Sequence, residues 1–181
     1  MTSMPEGFSL RLGNAGDFAA VRAFYDQLID DMVNLPYHPM WDKEGHPSDT
    51  YLEQALQQGE MWLAIMNPDK VVGALIVNHA ANEGYFSIPW RVQAERGEFS
   101  VLHAFGISRQ FQGRGLGSAM MNFIIARARE AGQKAIRLDL IDFNLPAQRA
   151  YLKLGFVKCA EVRMYYKEVG WQLFHMFELP L

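Results

Sequence analysis

The chain has 181 residues, 50% of them hydrophobic and 20% charged, with a formal net charge of −3. That is the composition of an ordinary globular protein, and no apolar run approaches the roughly 20 residues that a membrane span requires. The single cysteine, Cys159, excludes an internal disulfide and fits a reducing, cytoplasmic setting.

The length is most economically one domain, residues 1–181, with no repeat, linker or low-complexity tract to divide it. The opening "MTSMPEGFSLRLGNAGD" lacks a basic stretch followed by an apolar one, so it does not read as a signal peptide. "SLRL" predicts a short strand, and a helix opens near Gly16-Asp17, with Phe18, Val21, Phe24, Tyr25, Leu28 and Ile29 at helical spacing. A loop rich in proline and aromatics follows, "VNLPYHPMWDKEGHPSD", and Ser48 or Asp49 caps a second helix running to about Gln58. "EMWLAIMN" and "KVVGALIVNHA" read as strands joined by a turn at Asn67-Pro68-Asp69. After an irregular connection, "EFSVLHAFGI" is a strand leading into a glycine loop and a helix that ends at Ala131-Gly132. "AIRLDLI" is a further strand, Pro146 suits the first turn of a short helix after Asn144, and the remainder predicts a β-ribbon. The order β-α-α-β-β-β-α-β-α-β-β indicates a mixed α/β sheet and excludes a plain Rossmann alternation.

Charge is unevenly spread. Residues 1–60 hold ten acids against three Lys or Arg, whereas residues 101–140 hold Arg109, Arg114, Arg127, Arg129, Lys134 and Arg137 against Glu130 and Asp139. A basic segment around a glycine loop suits a phosphorylated ligand, while nothing forms the broad basic surface that nucleic acid requires. The loop itself, Gln112-Gly113-Arg114-Gly115-Leu116-Gly117, reads Q-x-x-G-x-G just before a helix. It lacks the Lys-Ser/Thr of a Walker A loop and does not fit G-x-G-x-x-G. Its successive N–H groups can wrap a pyrophosphate at the positive end of the helix, with Arg114 as an added cation.

Further on, "NLPAQRAYLKLGF" gives N-x-x-A-x-x-x-Y-x-x-x-G-F on Asn144, Ala147, Tyr151, Gly155 and Phe156. With the glycine loop upstream and the matching strand order, the chain resembles a GCN5-related N-acetyltransferase (GNAT) along nearly its whole length. The resemblance implies a mixed, mostly antiparallel sheet whose two central parallel strands splay apart, with acetyl-CoA in the gap as co-substrate and no metal. Main-chain groups of Phe105, Gly106 and Ile107 would pair with the pantetheine arm, much as an added strand does. Gln112 through Ser118 would hold the pyrophosphate, and Asn144 and Ala147 would meet the donor from the next strand's end. Capping alone accounts for Asn144 equally well.

The same resemblance makes Tyr151 the general acid that returns a proton to the departing thiolate; packing on the helix face is the alternative. Peptide N–H groups near Phe105 would polarise the thioester carbonyl. The base is less determined. Many members carry a glutamate two residues before His103, where this chain has Val101. "LHAFGI" instead resembles the "LHALAV" of members including arylalkylamine acetyltransferases, in which a histidine on this strand relays the proton. His103 therefore stands first, with Glu98, Glu83 and His79 as alternates and a free-amine mechanism beside them.

The acceptor pocket is expected between the N-terminal helix pair and the final ribbon, with Tyr37, His38, Trp41, Glu83, Tyr165, Tyr166 and Trp171 as candidate wall residues. The acidic first third, Asp42 and Glu44 included, would attract a cationic amine. His38 and His46 with Asp42 between them match no standard zinc spacing. Two functions remain open at this point. One is a cytoplasmic enzyme transferring acetyl directly, in a ternary complex, to a primary amine of a small molecule or peptide. The other is a non-catalytic acyl-CoA sensor. A homodimer paired through the apolar ribbon is a further expectation of the resemblance.

Overall fold

A computed structural model describes residues 4–167 and 170–181. Glu168 and Val169, counted above with the ribbon, lie outside the described residues, as do Met1–Ser3. Among the described residues, seven strands and four α-helices follow one another in the expected order. The chain gathers into two compact units: residues to Asn34, Trp41–Val77 and His103–Ile124 form one, and Leu35–Met40, Asn78–Leu102 and Ile125–Leu181 the other.

In the first unit, β1 (Phe8–Leu12) runs antiparallel to β2 (Met61–Met66), which runs antiparallel to β3 (Lys70–Asn78). Helix α1 (Phe18–Met32) buries Val21, Phe24, Tyr25, Leu28 and Ile29, the stripe its spacing predicts. Its entry is fixed one turn earlier than the sequence suggested. Asn14 accepts from Gly16 N–H at 2.9 Å, Asp17 accepts from Asn14 N–H at 2.9 Å, and Arg11 grips both Asp17 oxygens at 2.6 and 2.7 Å. Helix α2 (Asp49–Gln57) is capped by Ser48, whose side chain accepts from Tyr51 N–H at 3.3 Å. The two helices share a core with β2 and β3 that includes Leu52, Leu56, Met61 and Leu63.

Strand β4 (Phe99–Ile107) starts in the second unit and ends in the first. Its early residues pair in parallel with β5 (Ala135–Ile141), and that register spans only Phe99–Ala135, Ser100–Ile136 and Val101–Arg137. β5 then pairs antiparallel with β7 (Gly170–Pro180) over seven residues, and β7 with β6 (Val157–Tyr166). The strands are thus mixed and mostly antiparallel with one parallel pair, as expected. Helix α3 (Leu116–Glu130) follows β4, and α4 (Leu145–Lys153) follows β5. No helix among the described residues is long and apolar enough to cross a membrane.

Arg137, which the sequence groups with the basic segment, lies in the core of the second unit instead. Its side chain is 4% exposed and bonds Glu178, 0% exposed, at 3.0 Å. The guanidinium lies over the Trp90 and Phe99 rings and donates to the Val92 carbonyl at 2.8 Å. Glu178 uses its other oxygen to accept from the N–H groups of Arg91 and Val92. Fully partnered in this way, a charged pair is tolerated in an apolar core.

Candidate active site

The glycine loop takes the conformation its composition requires. Gly113 and Gly115 have φ of 75° and 80°, in the left-handed region that other residues avoid, and a side chain there would meet nothing within 4 Å. Gln112 through Gly115 are exposed, whereas Leu116 is buried and anchors the start of α3. The first intrahelical bond runs from Ala119 N–H to the Gly115 carbonyl. The N–H groups of Leu116, Gly117 and Ser118 therefore have no partner within the helix, and the positive end of its dipole adds to them. Arg114 stacks over Phe111 at 5.5 Å, beside the loop. Open space, bare donors and a nearby cation fit a pyrophosphate.

The end of β4 has two distinct faces. Gly106 lies against Leu28, Phe24 and Trp41, where a Cβ would collide with Leu28. On the other face, the Phe105 and Ile107 side chains each pass 3.6 Å from where a Gly117 Cβ would stand. Ala104, just before Phe105, has φ of 48°, and its carbonyl accepts a 2.6 Å bond from the buried Tyr25 hydroxyl. The Gln112 side chain donates to the Ile107 carbonyl at 3.1 Å, tying the loop to the strand.

In the second unit, Asn144 sits at the N-cap of α4 and is buried, yet its side chain makes no capping bond. Its carbonyl alone serves the helix, accepting from Gln148 N–H at 3.2 Å. Capping therefore does not explain the asparagine amide. One turn on, Ala147 is half-buried. Tyr151 is buried edge-on against Phe156, and burial pushes its hydroxyl pKa up, so the phenol stays protonated across the neutral range.

His103 is half-buried on β4. The alternates have other partners. Glu98 binds Lys134 at 2.7 Å, Glu83 is 92% exposed and pairs with Arg96 at 3.8 Å, and His79 Nδ1 lies 2.7 Å from the Phe99 carbonyl. Among the wall candidates, Trp41 packs edge-on against Tyr25 and lies beside Gly106. Tyr37 and Tyr165 are exposed, the latter stacked on exposed Trp171 at 5.8 Å. The loop is itself divided, since Leu35–Met40 belongs with the second unit and Trp41 with the first. His38 stacks edge-on with Phe143 and accepts from Met40 N–H through Nδ1. Asp42 closes its own turn by accepting from Glu44 and Gly45 N–H.

One constellation went unread in the sequence. Asp139, half-buried on β5, accepts from the Tyr85 hydroxyl at 2.6 Å and from the Tyr166 hydroxyl at 3.1 Å. No ion pair among the described residues neutralises it. The available signal was a charged residue inside the otherwise apolar "AIRLDLI".

Residues 23–156 match the family model described as the acetyltransferase (GNAT) family. No curated protein matches the sequence significantly. Among solved structures, a GNAT-family acetyltransferase from Streptococcus agalactiae is similar, with a TM-score of 0.80, 19% identity, and 97% of this chain and 96% of that one covered. A GCN5-related N-acetyltransferase from Kribbella flavida aligns at a TM-score of 0.70 and 19% identity, covering 98% of this chain and 99% of that one. The ribosomal-protein-S18-alanine N-acetyltransferase of Escherichia coli aligns at 0.65 and 17%, covering 96% and 93%.

Proposed function

The chain belongs to the acetyltransferase (GNAT) family, and from that premise we propose that it carries acetyl from acetyl-CoA to a primary amine of a small molecule or peptide. The transfer is direct, within a ternary complex, and takes place in the cytoplasm in a single catalytic domain. The observation that carries this reading is the left-handed glycine loop with bare N–H groups at the head of α3. When bound there, the donor supplies an activated thioester.

The chain's own residues supply the rest. Leu116, Gly117 and Ser118 N–H groups bind the pyrophosphate, and the Phe105–Ile107 backbone orients the pantetheine arm. The family resemblance assigns the Asn144 amide, unused by its helix, to the donor as well. An alkylammonium has a pKa near 10.4 and must lose a proton before it attacks, and His103 accepts it. Tyr151, kept neutral by burial, gives a proton to the departing sulfur. The Asp139 carboxylate, held by two phenols, favours a cationic acceptor over a neutral one.

Thiol release from acetyl-CoA tests this reading directly, measured against polyamines, arylalkylamines, amino acids, aminoglycosides and short peptides. Release that depends on one amine class supports the proposal and names the acceptor. Folded protein that binds acetyl-CoA but releases no thiol with any of them counts against it.

A further inference from the structure

We infer that Tyr25 is a positioning residue for acetyl transfer: through its hydroxyl it holds the Ala104 carbonyl on the α1 side of β4 and so aims the Phe105 N–H the opposite way. The inference rests on the acetyltransferase reading. Ala104 is one of two non-glycine residues with positive φ among those described, and it lies inside β4. An alanine does not adopt that conformation unaided, so something must hold it.

The holder is 79 residues away in sequence: the Tyr25 hydroxyl donates to the Ala104 carbonyl at 2.6 Å. The tyrosine ring is completely buried, edge-on to Phe24 at 5.0 Å and to Trp41 at 5.7 Å, so it has no room to swing away. Burial also pushes the phenol pKa up, which keeps the hydroxyl a donor at every working pH. A trans peptide is planar, with its C=O and following N–H pointing in opposite directions. Fixing the Ala104 carbonyl against α1 therefore fixes where the Phe105 N–H points. Gly106 completes the grip, since its missing side chain lets the strand lie on Leu28, Phe24 and Trp41.

A donor N–H in a fixed direction favours the thioester oxygen as negative charge develops on it, more than it favours the ground state. Tyr25 touches no reacting atom in this account. It acts through the peptide.

Tyr25→Phe keeps the ring and removes only the donor. The expected result is a kcat lowered about 10- to 100-fold, with acceptor KM within about two-fold. Equilibrium binding gives a readout that is independent of turnover. The preference for acetyl-CoA over CoA should shrink in Tyr25→Phe, because only the acylated form has the carbonyl that the Phe105 N–H meets. Ala104→Gly in the Tyr25→Phe background should restore part of both, since glycine takes positive φ without being held.

Folded Tyr25→Phe protein with unchanged kcat and unchanged acetyl-CoA preference overturns the inference, even if its melting temperature falls. Failure of Ala104→Gly to rescue also overturns it. If the wild type binds acetyl-CoA yet acetylates no amine, the acceptor reading fails and the binding preference alone decides for or against Tyr25. If the wild type binds neither acetyl-CoA nor CoA, both are overturned.

Discussion

Alanine at Gly113 or Gly115 isolates backbone conformation from crowding. Neither position has an atom within 4 Å of an added Cβ, so a methyl group meets no steric resistance. What remains is the left-handed backbone, at φ of 75° and 80°, which costs a non-glycine residue about 1–2 kcal/mol. That energy must appear somewhere. If the free loop keeps its shape, folding stability absorbs it, and for a chain of this size each kcal/mol lowers Tm by about 2–4 °C. If the free loop relaxes to ordinary φ, stability is spared and the donor must rebuild the left-handed turn, weakening Kd about 5- to 30-fold.

The two losses are complementary, and their sum should come to about 1–2 kcal/mol at each position. Gly117→Ala is the control. Its Cβ would stand 3.6 Å from Ile107 and Phe105, an ordinary contact, and its φ is not left-handed. Within a helix, alanine is favoured over glycine by up to about 1 kcal/mol, so Tm should hold or rise. Thermal melts paired with calorimetric titration of acetyl-CoA measure both quantities. If Gly113→Ala and Gly115→Ala leave Tm and Kd both unchanged, the loop does not depend on its left-handed residues and the phosphate-cradle argument fails.

Three further outcomes follow from the same structure. Tyr151→Phe should lower kcat about 10²- to 10⁴-fold in steady-state assays while acetyl-CoA affinity by titration stays put, because only the proton donor is lost. Glu178→Gln should destabilise the fold by about 3–5 kcal/mol in urea titrations, since it strands the Arg137 guanidinium in the core; replacing both residues by apolar ones should cost less. The Arg11 hydrogen bonds hold the Asp17 carboxyl below its ordinary value of 3.8. Asp17 therefore contributes stability that is present above that pH and lost as pH falls through the lower folded value. Asp17→Asn should be less stable than wild type at pH 7, by at most about 2 kcal/mol with the lost cap included, and urea midpoints should converge as the pH drops below about 4.

Local patterns carried much of this fold. The α1 stripe, the Ser48 cap, the Gly132 stop and the strands of the closing ribbon are each written within a few residues of where they act, so local patterns and end signals recovered them. Asn14 was harder, because its capping box closes a short 3₁₀ turn before α1 begins. The features that escaped depend on distant partners. Ala104 sits in "LHAFGI" with no turn signal, and its bend is imposed from Tyr25. Arg137 reads as one more surface cation until Glu178, Trp90 and Phe99 surround it. Asp139 gained meaning only when Tyr85 and Tyr166 came to it from elements 54 and 27 residues away. The candidate site was legible where a motif is contiguous, at Gln112–Ser118 and Asn144–Phe156. The loop from Val33 to Ser48 offered composition without position.

The placement of β7 also constrains how the protein is made. β6 emerges from the ribosome first, yet its partner β7 comes later and lies between it and β5. Until Gly170–Pro180 has been synthesised, β5 and β6 of the nascent chain each lack the neighbour that completes their backbone pairing. The buried Arg137 likewise waits for Glu178. These three strands cannot close on one another until Gly170–Pro180 has been translated, and during that interval two strand edges stand open to pairing with other chains.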